Sequence, residues 1–357
     1  ERIRTSDARR CSFPGPRHAS GHPSLHGRSE VTPSPAQARL CLVIAAVLWS
    51  SGSFFIRFLR EPSGMAEALN LPLHEPHLTP LQVAFYRGLF GGLAMLALVR
   101  RIDLKFDPRM IGMVLIFAAM SGLYMSALAL GPAANAIFLQ NTAPIWVYLF
   151  AVFVLKEASD RRGWQSVLLG GLGAVVIVAG NWPANLPPDE ERAQILILVM
   201  GVGSGFTYAG VMIFLRMLRS HAPAWLTAMN LVGSAIAIGA YVQLRFGWSE
   251  FLTWAGTPTF AQIAVLALYG VIQMAIPYWL FARSLRAVSP QEAGIITLIE
   301  PLLNPVWAYL MTPEKDKPTA PMLIGGGLIL AALVWRYVPS KKNEPQRHGD
   351  TEKTEER

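Results

Sequence analysis

Residues 134–155 read ANAIFLQNTAPIWVYLFAVFVL and residues 290–311 read PQEAGIITLIEPLLNPVWAYLM. At 1.5 Å per residue, a 22-residue helix is about 33 Å long, enough to cross a hydrocarbon layer about 30 Å thick. The first stretch carries no charge at all. Eight more runs of comparable length and apolarity surround these two, at Leu40–Leu59, Leu81–Val99, Met110–Leu130, Trp164–Gly180, Gln194–Leu215, Ala224–Leu244, Thr259–Ala282 and Ala320–Val338. Gly131-Pro132-Ala133 and Ala287-Val288-Ser289 are links so short that the runs they join must be antiparallel neighbours. Helices suit these lengths, because barrel strands would read as alternating segments of about ten residues. The expected fold is an all-α membrane protein with ten transmembrane helices.

Composition agrees with this reading. Only 15% of the 357 residues are charged and 52% are hydrophobic, with a mean hydropathy of +0.36, where a soluble domain carries about 25% charge. A soluble enzyme, a nucleic-acid-binding protein and a disordered protein are thereby excluded. The two cysteines, Cys11 and Cys41, suit neither a disulfide framework nor a zinc site. All seven histidines fall in tails or loops, and no phosphate-cradling G-x-x-x-x-G-K-[ST] is present. No cofactor and no metal site are expected.

The net charge of +8 reports topology. With the N-terminus in the cytoplasm, 24 Lys and Arg fall inside and five outside, as the positive-inside rule requires. Residues 1–39, rich in Arg, Ser, Pro and His, are expected to be a disordered and dispensable cytoplasmic tail, and 339–357 a charged cytoplasmic one. The expected location is the plasma (inner) membrane, with both termini cytoplasmic.

A shift of 157 residues brings the two halves, 40–182 and 193–338, into register. Asn135-Ala136 meets Glu292-Ala293, Pro144 meets Pro301, and Glu157 meets Glu314. At the second run of each half the shift is 143, matching Thr79-Pro80 to Ala222-Pro223, and the loop Glu61–Thr79 absorbs the difference. Five spans per half is an odd number, so the second copy must be inverted. Inverted repeats with a site near the midplane characterise alternating-access transporters.

Particular segments carry a family resemblance. The fourth run, from Ala133-Ala134-Asn135-Ala136 through Thr142-Ala143-Pro144-Ile145 to Leu155-Lys156-Glu157, resembles the corresponding segment of the EamA family. The ninth, Leu298-Ile299-Glu300-Pro301-Leu302-Leu303-Asn304-Pro305-Val306-Trp307 followed by Glu314-Lys315, is similar to its "LEP…GEK" segment. Leu48-Trp49-Ser50-Ser51-Gly52-Ser53-Phe54 resembles its first-helix signature, and Pro80 and Arg87 its second-helix Pro and Arg. The resemblance implies the drug/metabolite transporter superfamily, with ten helices in two inverted repeats and export of small metabolites such as amino acids. The long loop Glu61–Thr79 and the polar pair Gln140-Asn141 depart from the family pattern.

Candidate site residues follow from the cost of polarity in a membrane. Glu300 lies about 15 Å into its run, where a carboxylate must be hydrated, paired or protonated; desolvation disfavours its charged form and makes it a candidate for proton exchange. Asn304 shares its face. Pro301 and Pro305 donate no backbone hydrogen bond and permit a bend. Arg87 is the other interior charge, read either as a substrate contact or as a snorkelling or structurally paired residue. Arg57, nearer a span end, is expected to be an interface anchor. Gln140, Asn141 and Thr142 form a polar knot opposite Pro144. Tyr124, Tyr208, Tyr269, Gln273, Tyr278 and Trp279 add groups able to stack on and hydrogen-bond a small zwitterion or ring, although for any one of them helix–helix hydrogen bonding is the commoner use. The Gly-rich stretches at 170–173 and 325–327 are expected to permit close helix packing.

The function so implied is secondary active transport, in the exporting direction and coupled to protons at Glu300. The expected partners are the lipid bilayer, a small-molecule substrate and protons, not nucleic acid, with a homodimer compatible with the fold. A sugar-phosphate or nucleotide-sugar exchanger is the alternative within the class, but would want several interior cations. A membrane-embedded enzyme would need convergent His, Cys or paired carboxylates, and a channel would need charged rings.

Overall fold

The computed structural model describes residues 34–62, 73–184 and 186–338. Residues 1–33 of the tail expected at 1–39, the tail expected at 339–357, and residues 63–72 of the long loop lie outside the described residues. The structure is helical, with no strand among the described residues: α1 (Pro35–Ser50), α2 (Gly52–Arg60), α3 (Pro80–Leu96), α4 (Arg109–Leu130), α5 (Ala133–Gln140), α6 (Ala143–Phe153), α7 (Arg161–Gly180), α8 (Pro188–Met217), α9 (Pro223–Phe246), α10 (Trp248–Gly256), α11 (Phe260–Tyr269), a π-helical segment (Gly270–Ala275), α12 (Ile276–Ser284), α13 (Pro290–Thr297), α14 (Ile299–Met311) and α15 (Ala320–Tyr337). Nine stretches among the described residues are long and apolar enough to cross a membrane, counting α1–α2, α5–α6, α11–α12 and α13–α14 each as one. The second expected span is α3, which has 17 residues and is shorter than those nine.

Helix starts are written locally. Ser34, Thr79 and Thr259 each accept from the backbone of a glutamine three residues on, whose side chain returns the bond; these capping boxes satisfy N–H groups that no turn of helix can. Pro35, Pro80 and Pro223 open their helices, where a missing N–H costs nothing. The Ser34 cap places the first helix five residues ahead of the expected Leu40, so the segment Pro35–Arg39 is helix, not tail.

Four long helices are interrupted near their middles. Between α5 and α6 the backbone turns at Asn141 and Thr142, immediately before Pro144; between α13 and α14 it turns at Leu298, before Pro301. Each proline withholds the N–H that the preceding turn needs. The α1–α2 break at Ser51 has no proline. There the Ser50 and Ser51 hydroxyls donate to the carbonyls of Val47 and Leu48 at 2.7 and 2.6 Å, competing with the helical ladder. The π-helical turn precedes Pro277 and lies against α3, where a Cβ on Gly270 would fall 2.6 Å from the Gly91 nitrogen. Only a residue without a side chain permits that approach.

Close packing of small residues ties the bundle together. At the α7–α15 crossing a Cβ on Gly173 would stand 2.5 Å from the Gly325 carbonyl oxygen, and one on Gly325 would stand 2.6 Å from that of Gly173. This is the packing use expected of the glycine-rich stretches. α10 has no buried residue; its Trp248 and Trp254 rings both adjoin Phe251, and Trp254 packs edge-on against Phe85 of α3.

Candidate functional site

The α1–α2 break is the hub of a buried polar cluster. It exposes the backbone carbonyls of Trp49 and Gly52, which accept from the Gln273 amide at 3.2 Å and the Tyr269 hydroxyl at 3.1 Å. Ser53 donates to the Asn304 carbonyl at 2.5 Å, and the Trp307 indole donates to the Ser50 hydroxyl at 2.9 Å. Gly52 sits between these side chains: a Cβ added there would lie 3.4 to 3.7 Å from the tips of Gln273, Tyr269 and Asn304. Thus α1–α2, the π segment and α14 meet at one point, to which α1–α2 and the π segment bring irregular backbone. Irregular backbone at membrane depth is tolerated where it lines a cavity or is buried in protein.

Arg87 of α3 enters this cluster rather than snorkelling away. It is 2% exposed, donates to Gln273 Oε1 at 3.2 Å and to the Ser121 hydroxyl at 3.1 Å, and lies 5.4 Å from the centre of the Tyr269 ring. Its Nε has no acceptor, and both polar atoms of the Asn304 side chain, on a residue 1% exposed, are also without partners. Buried groups left in that condition are rare enough to need an explanation.

Glu300 is half-buried one turn before Asn304. Its carboxylate is within electrostatic reach of the hydroxyls of Tyr124, Tyr208 and Tyr278. The Tyr124 hydroxyl lies beside Asn304 and within reach of Arg87 as well. Trp49 meets Tyr278 edge to face at 5.2 Å. The expected residues Glu300, Asn304, Tyr124, Tyr208, Gln273, Tyr269, Tyr278 and Arg87 are therefore brought together. Trp279 is 41% exposed and points elsewhere.

The polar knot in α5–α6 behaves differently. Asn141 donates to the Ile137 carbonyl at 2.8 Å, Thr142 to the Leu139 carbonyl at 2.6 Å, and the Gln140 amide to the Met120 sulfur at 3.4 Å. Two of these three polar groups are spent on the helix break that Pro144 creates. Thr142 also packs on Gly205, where a Cβ would come within 2.6 Å of its hydroxyl.

A second buried cluster, at one end of the bundle, centres on Arg57, which is no interface anchor. Its guanidinium is 1% exposed and clasps Asp316 through Nε at 2.7 Å and Nη2 at 3.0 Å, and donates to the carbonyls of Ala129 and Gly131 at 3.1 and 2.8 Å. Asp316 also accepts from the Ala133 N–H at 2.7 Å and the Thr312 hydroxyl at 2.7 Å. Burial pushes the Asp316 carboxyl up, but the bonds from Arg57, Ala133 and Thr312 outweigh it and hold the group below its ordinary value. Beside it Lys315 pairs with Glu61; burial, then the Arg57 charge, hold the ammonium below its usual range. This cluster joins α2, the α4–α5 link and the α14–α15 loop.

The model of the EamA-like transporter family matches residues 37–179 and again 195–337. The chain belongs to the EamA-like transporter family. It is similar to an uncharacterised transporter of Archaeoglobus fulgidus, 28% identical over 83% of this chain and 95% of that one. It is also similar to the pseudopaline exporter CntI of Pseudomonas aeruginosa, 26% identical over 72% and 86%, and to an S-adenosylmethionine uptake transporter of Rickettsia prowazekii, 20% identical over 80% and 90%. One protein of known crystal structure superimposes with a TM-score of 0.53 at 16% identity, over 85% of this chain and 97% of that one, a likeness of fold alone. As an EamA-like transporter the chain is a multi-pass membrane protein that moves small molecules across a lipid bilayer, and is not an enzyme.

Proposed function

We propose that this EamA-like transporter is a secondary active exporter of small metabolites such as amino acids, working by alternating access and coupled to protons at Glu300. The observation that carries the reading is the meeting of three interrupted helical elements on one buried polar cluster that holds a cation, a carboxylate and an unpartnered amide. Discontinuous helices at the contact between repeats are the usual seat of a transported molecule. In this reading α3 crosses the membrane as well, making ten crossings, because it is packed between α9 and the π segment. The two halves are inverted copies in a bacterial plasma membrane, with both termini cytoplasmic. The Arg57–Asp316 cluster then faces outward. An ionised Glu300 favours a state that admits water, and a protonated one tolerates a dry, occluded site.

Overexpression in a bacterial host should raise the concentration of at least one small metabolite in the medium, and collapsing the proton gradient should abolish the rise. Glu300→Gln should lose uphill export while keeping substrate exchange in proteoliposomes. Full uphill transport by Glu300→Gln would assign coupling elsewhere, and a medium indistinguishable from the vector control would remove the exporter reading. For topology, cysteines at Thr257 and Ser220, in a chain lacking Cys11 and Cys41, should label from opposite faces of the membrane. Labelling from one face would overturn the ten-crossing arrangement.

A further inference from the structure

The helix α10 has nine residues, so it is about 13 Å long, too short to cross a hydrocarbon layer about 30 Å thick. Yet it lies between α9 and α11, each part of a stretch long and apolar enough to cross. Gly247 alone joins it to α9, at a φ of +96° that would strain any side chain, and three residues, Thr257 to Thr259, join it to α11. Both of its ends are therefore held at the membrane face where α9 ends and α11 begins. At about 100° per residue, three faces follow one another around its axis. Phe251, Trp254 and Ala255 turn to the protein: Phe251 lies 3.3 Å from where a Cβ on Gly239 of α9 would stand, and the Trp254 ring lies 5.4 Å from that of Phe85. Next to them come Trp248 and Leu252, both exposed, and on the far side Ser249, Glu250 and Thr253, exposed as well. The adjoining ends of α9 and α11 expose Leu244, Phe246 and Phe260, the last 89% exposed.

We propose that α10 lies flat in the membrane interface, seated on lipid, and holds the N-terminal end of α3 at that depth. Trp248 and Leu252 enter the boundary of the acyl chains, while Ser249, Glu250 and Thr253 face water. A helix whose apolar and polar faces are divided in this way settles in the interface plane, and Trp favours that layer. Lipid covers Trp248 and Leu252 together with the apolar side chains at the ends of α9 and α11, which water would leave bare. The hold on α3 is polar. The last carbonyls of α10 find no partner in their own helix. Gln82 of α3 donates to that of Trp254 at 2.6 Å and the Tyr86 hydroxyl to that of Ala255, while the Trp254 indole donates to the hydroxyl of Thr79, the cap of α3, at 3.1 Å. With 17 residues α3 is about 25 Å long, less than the hydrocarbon thickness, and a short helix shifts or thins the bilayer unless its ends are fixed. Arg87 follows Tyr86 directly, so the same bonds set the depth of that cation. The need for a hold rests on α3 crossing the bilayer, as read above; the seat of α10 on lipid does not, and neither depends on which molecule is carried.

The test uses the full chain, with Cys11 and Cys41 replaced by serine, in vesicles of palmitoyl-oleoyl phosphatidylcholine. A nitroxide is attached at Trp248→Cys, Leu252→Cys, Ser249→Cys or Thr253→Cys, one at a time. Its collisions with oxygen, which concentrates in lipid, and with a nickel chelate, which stays in water, are read by power saturation. Val199→Cys, exposed near the middle of α8, marks the lipid interior. At 248 and 252 oxygen should relax the label several-fold more than the chelate does, though less than at 199, and at 249 and 253 the order should reverse. Chelate-dominated relaxation at all four positions would put α10 in water and overturn the proposal. Labels at 248 and 252 that neither reagent reaches, with disulfide cross-links forming there between two molecules, would make the occupant a second copy and overturn it as well. For the hold on α3, Gln82→Glu keeps the acceptor of the Thr79 capping box but loses the donor to Trp254, and Tyr86→Phe loses the hydroxyl. The two together should raise the mobility and chelate access of the label at 252 several-fold and leave the label at 199 unchanged, which a misfolded protein would not. An unmoved label at 252 would overturn the hold. These readings obtained without any metabolite export would remove the exporter reading and still support the seat of α10, so the two can fail separately.

Discussion

Arg57 and Arg87 are both at most 2% exposed and both lie in the membrane-embedded bundle, but their surroundings are opposite. Arg57 is saturated: a carboxylate held by two nitrogens and two backbone carbonyls use its guanidinium, and the carboxylate is itself held by Ala133 and Thr312. Arg87 has two neutral partners and an idle Nε. A saturated buried ion pair is a fastener, whose removal leaves a stranded charge. A buried cation with only neutral partners carries an uncompensated charge, which its removal relieves. In the proposed reading, the difference puts stability at the end of the bundle and substrate contact at its centre.

The largest effect should come from breaking the fastener. Asp316→Asn leaves Arg57 buried without a counter-charge and should cost about 3–5 kcal/mol, seen as a lower Tm in detergent at neutral pH. The pH dependence sharpens the point. Because the Asp316 carboxyl sits below its ordinary value in the folded protein, its contribution is complete above about pH 4 and disappears as the pH falls through the lowered folded value. The wild-type protein should therefore lose stability on acidification below about pH 4, and Asp316→Asn should start lower but fall less steeply. An unchanged acid slope would show that Arg57 is held by the Ala129 and Gly131 carbonyls and not by Asp316.

Arg87 should respond in the other sense. Arg87→Met removes two hydrogen bonds, about 1 kcal/mol each, but also removes an uncompensated buried charge, so the net change in stability should stay within about 1 kcal/mol. The rise of metabolite in the medium on overexpression should be lost at the same time. Transport lost without stability lost is the mark of a site that stability does not need. A drop in Tm as large as that of Asp316→Asn would make Arg87 a second fastener and erase the comparison.

Much of this architecture is legible from the chain. The helix boundaries differ from the apolar runs by a few residues, because caps such as Ser34 and prolines such as Pro80 and Pro223 mark the starts. Pro144 and Pro301, matched in the repeat, foretell the breaks before them. The face Glu300–Asn304 and the pair Tyr269–Gln273 are visible as i, i+4 neighbours. Other features are not written locally. The Ser51 break has no proline, and the π segment depends on contact with α3. Asp316 sits in a loop beside Lys315 and Lys317, where a carboxylate reads as solvated; its partner is 259 positions away, and nothing in the periodicity connects them. Gln140, Asn141 and Thr142 mislead for a physical reason: at a broken turn Asn and Thr side chains bond their own helix's carbonyls, so polarity there repairs the backbone.

The smallest effect concerns a third arginine. Arg216 pairs with Glu157 at 2.8 Å, a distance as short as those at Asp316, but the two side chains are 59% and 43% exposed. If distance alone made a fastener, Arg216→Ala would rival Asp316→Asn. Solvent screens an exposed pair and the long side chains give up rotamer freedom to form it, so such pairs contribute about 0–1 kcal/mol. Arg216→Ala should therefore change stability by less than about 1 kcal/mol, and raising the salt concentration should shrink even that difference, because exposed charges are screened over about 10 Å in ordinary buffers. The Asp316→Asn deficit should be nearly unmoved by the same salt, since little solvent reaches the pair. Equal salt sensitivity of the two variants would mean that water enters the Arg57 cluster, and burial would no longer be what separates a fastener from a surface contact.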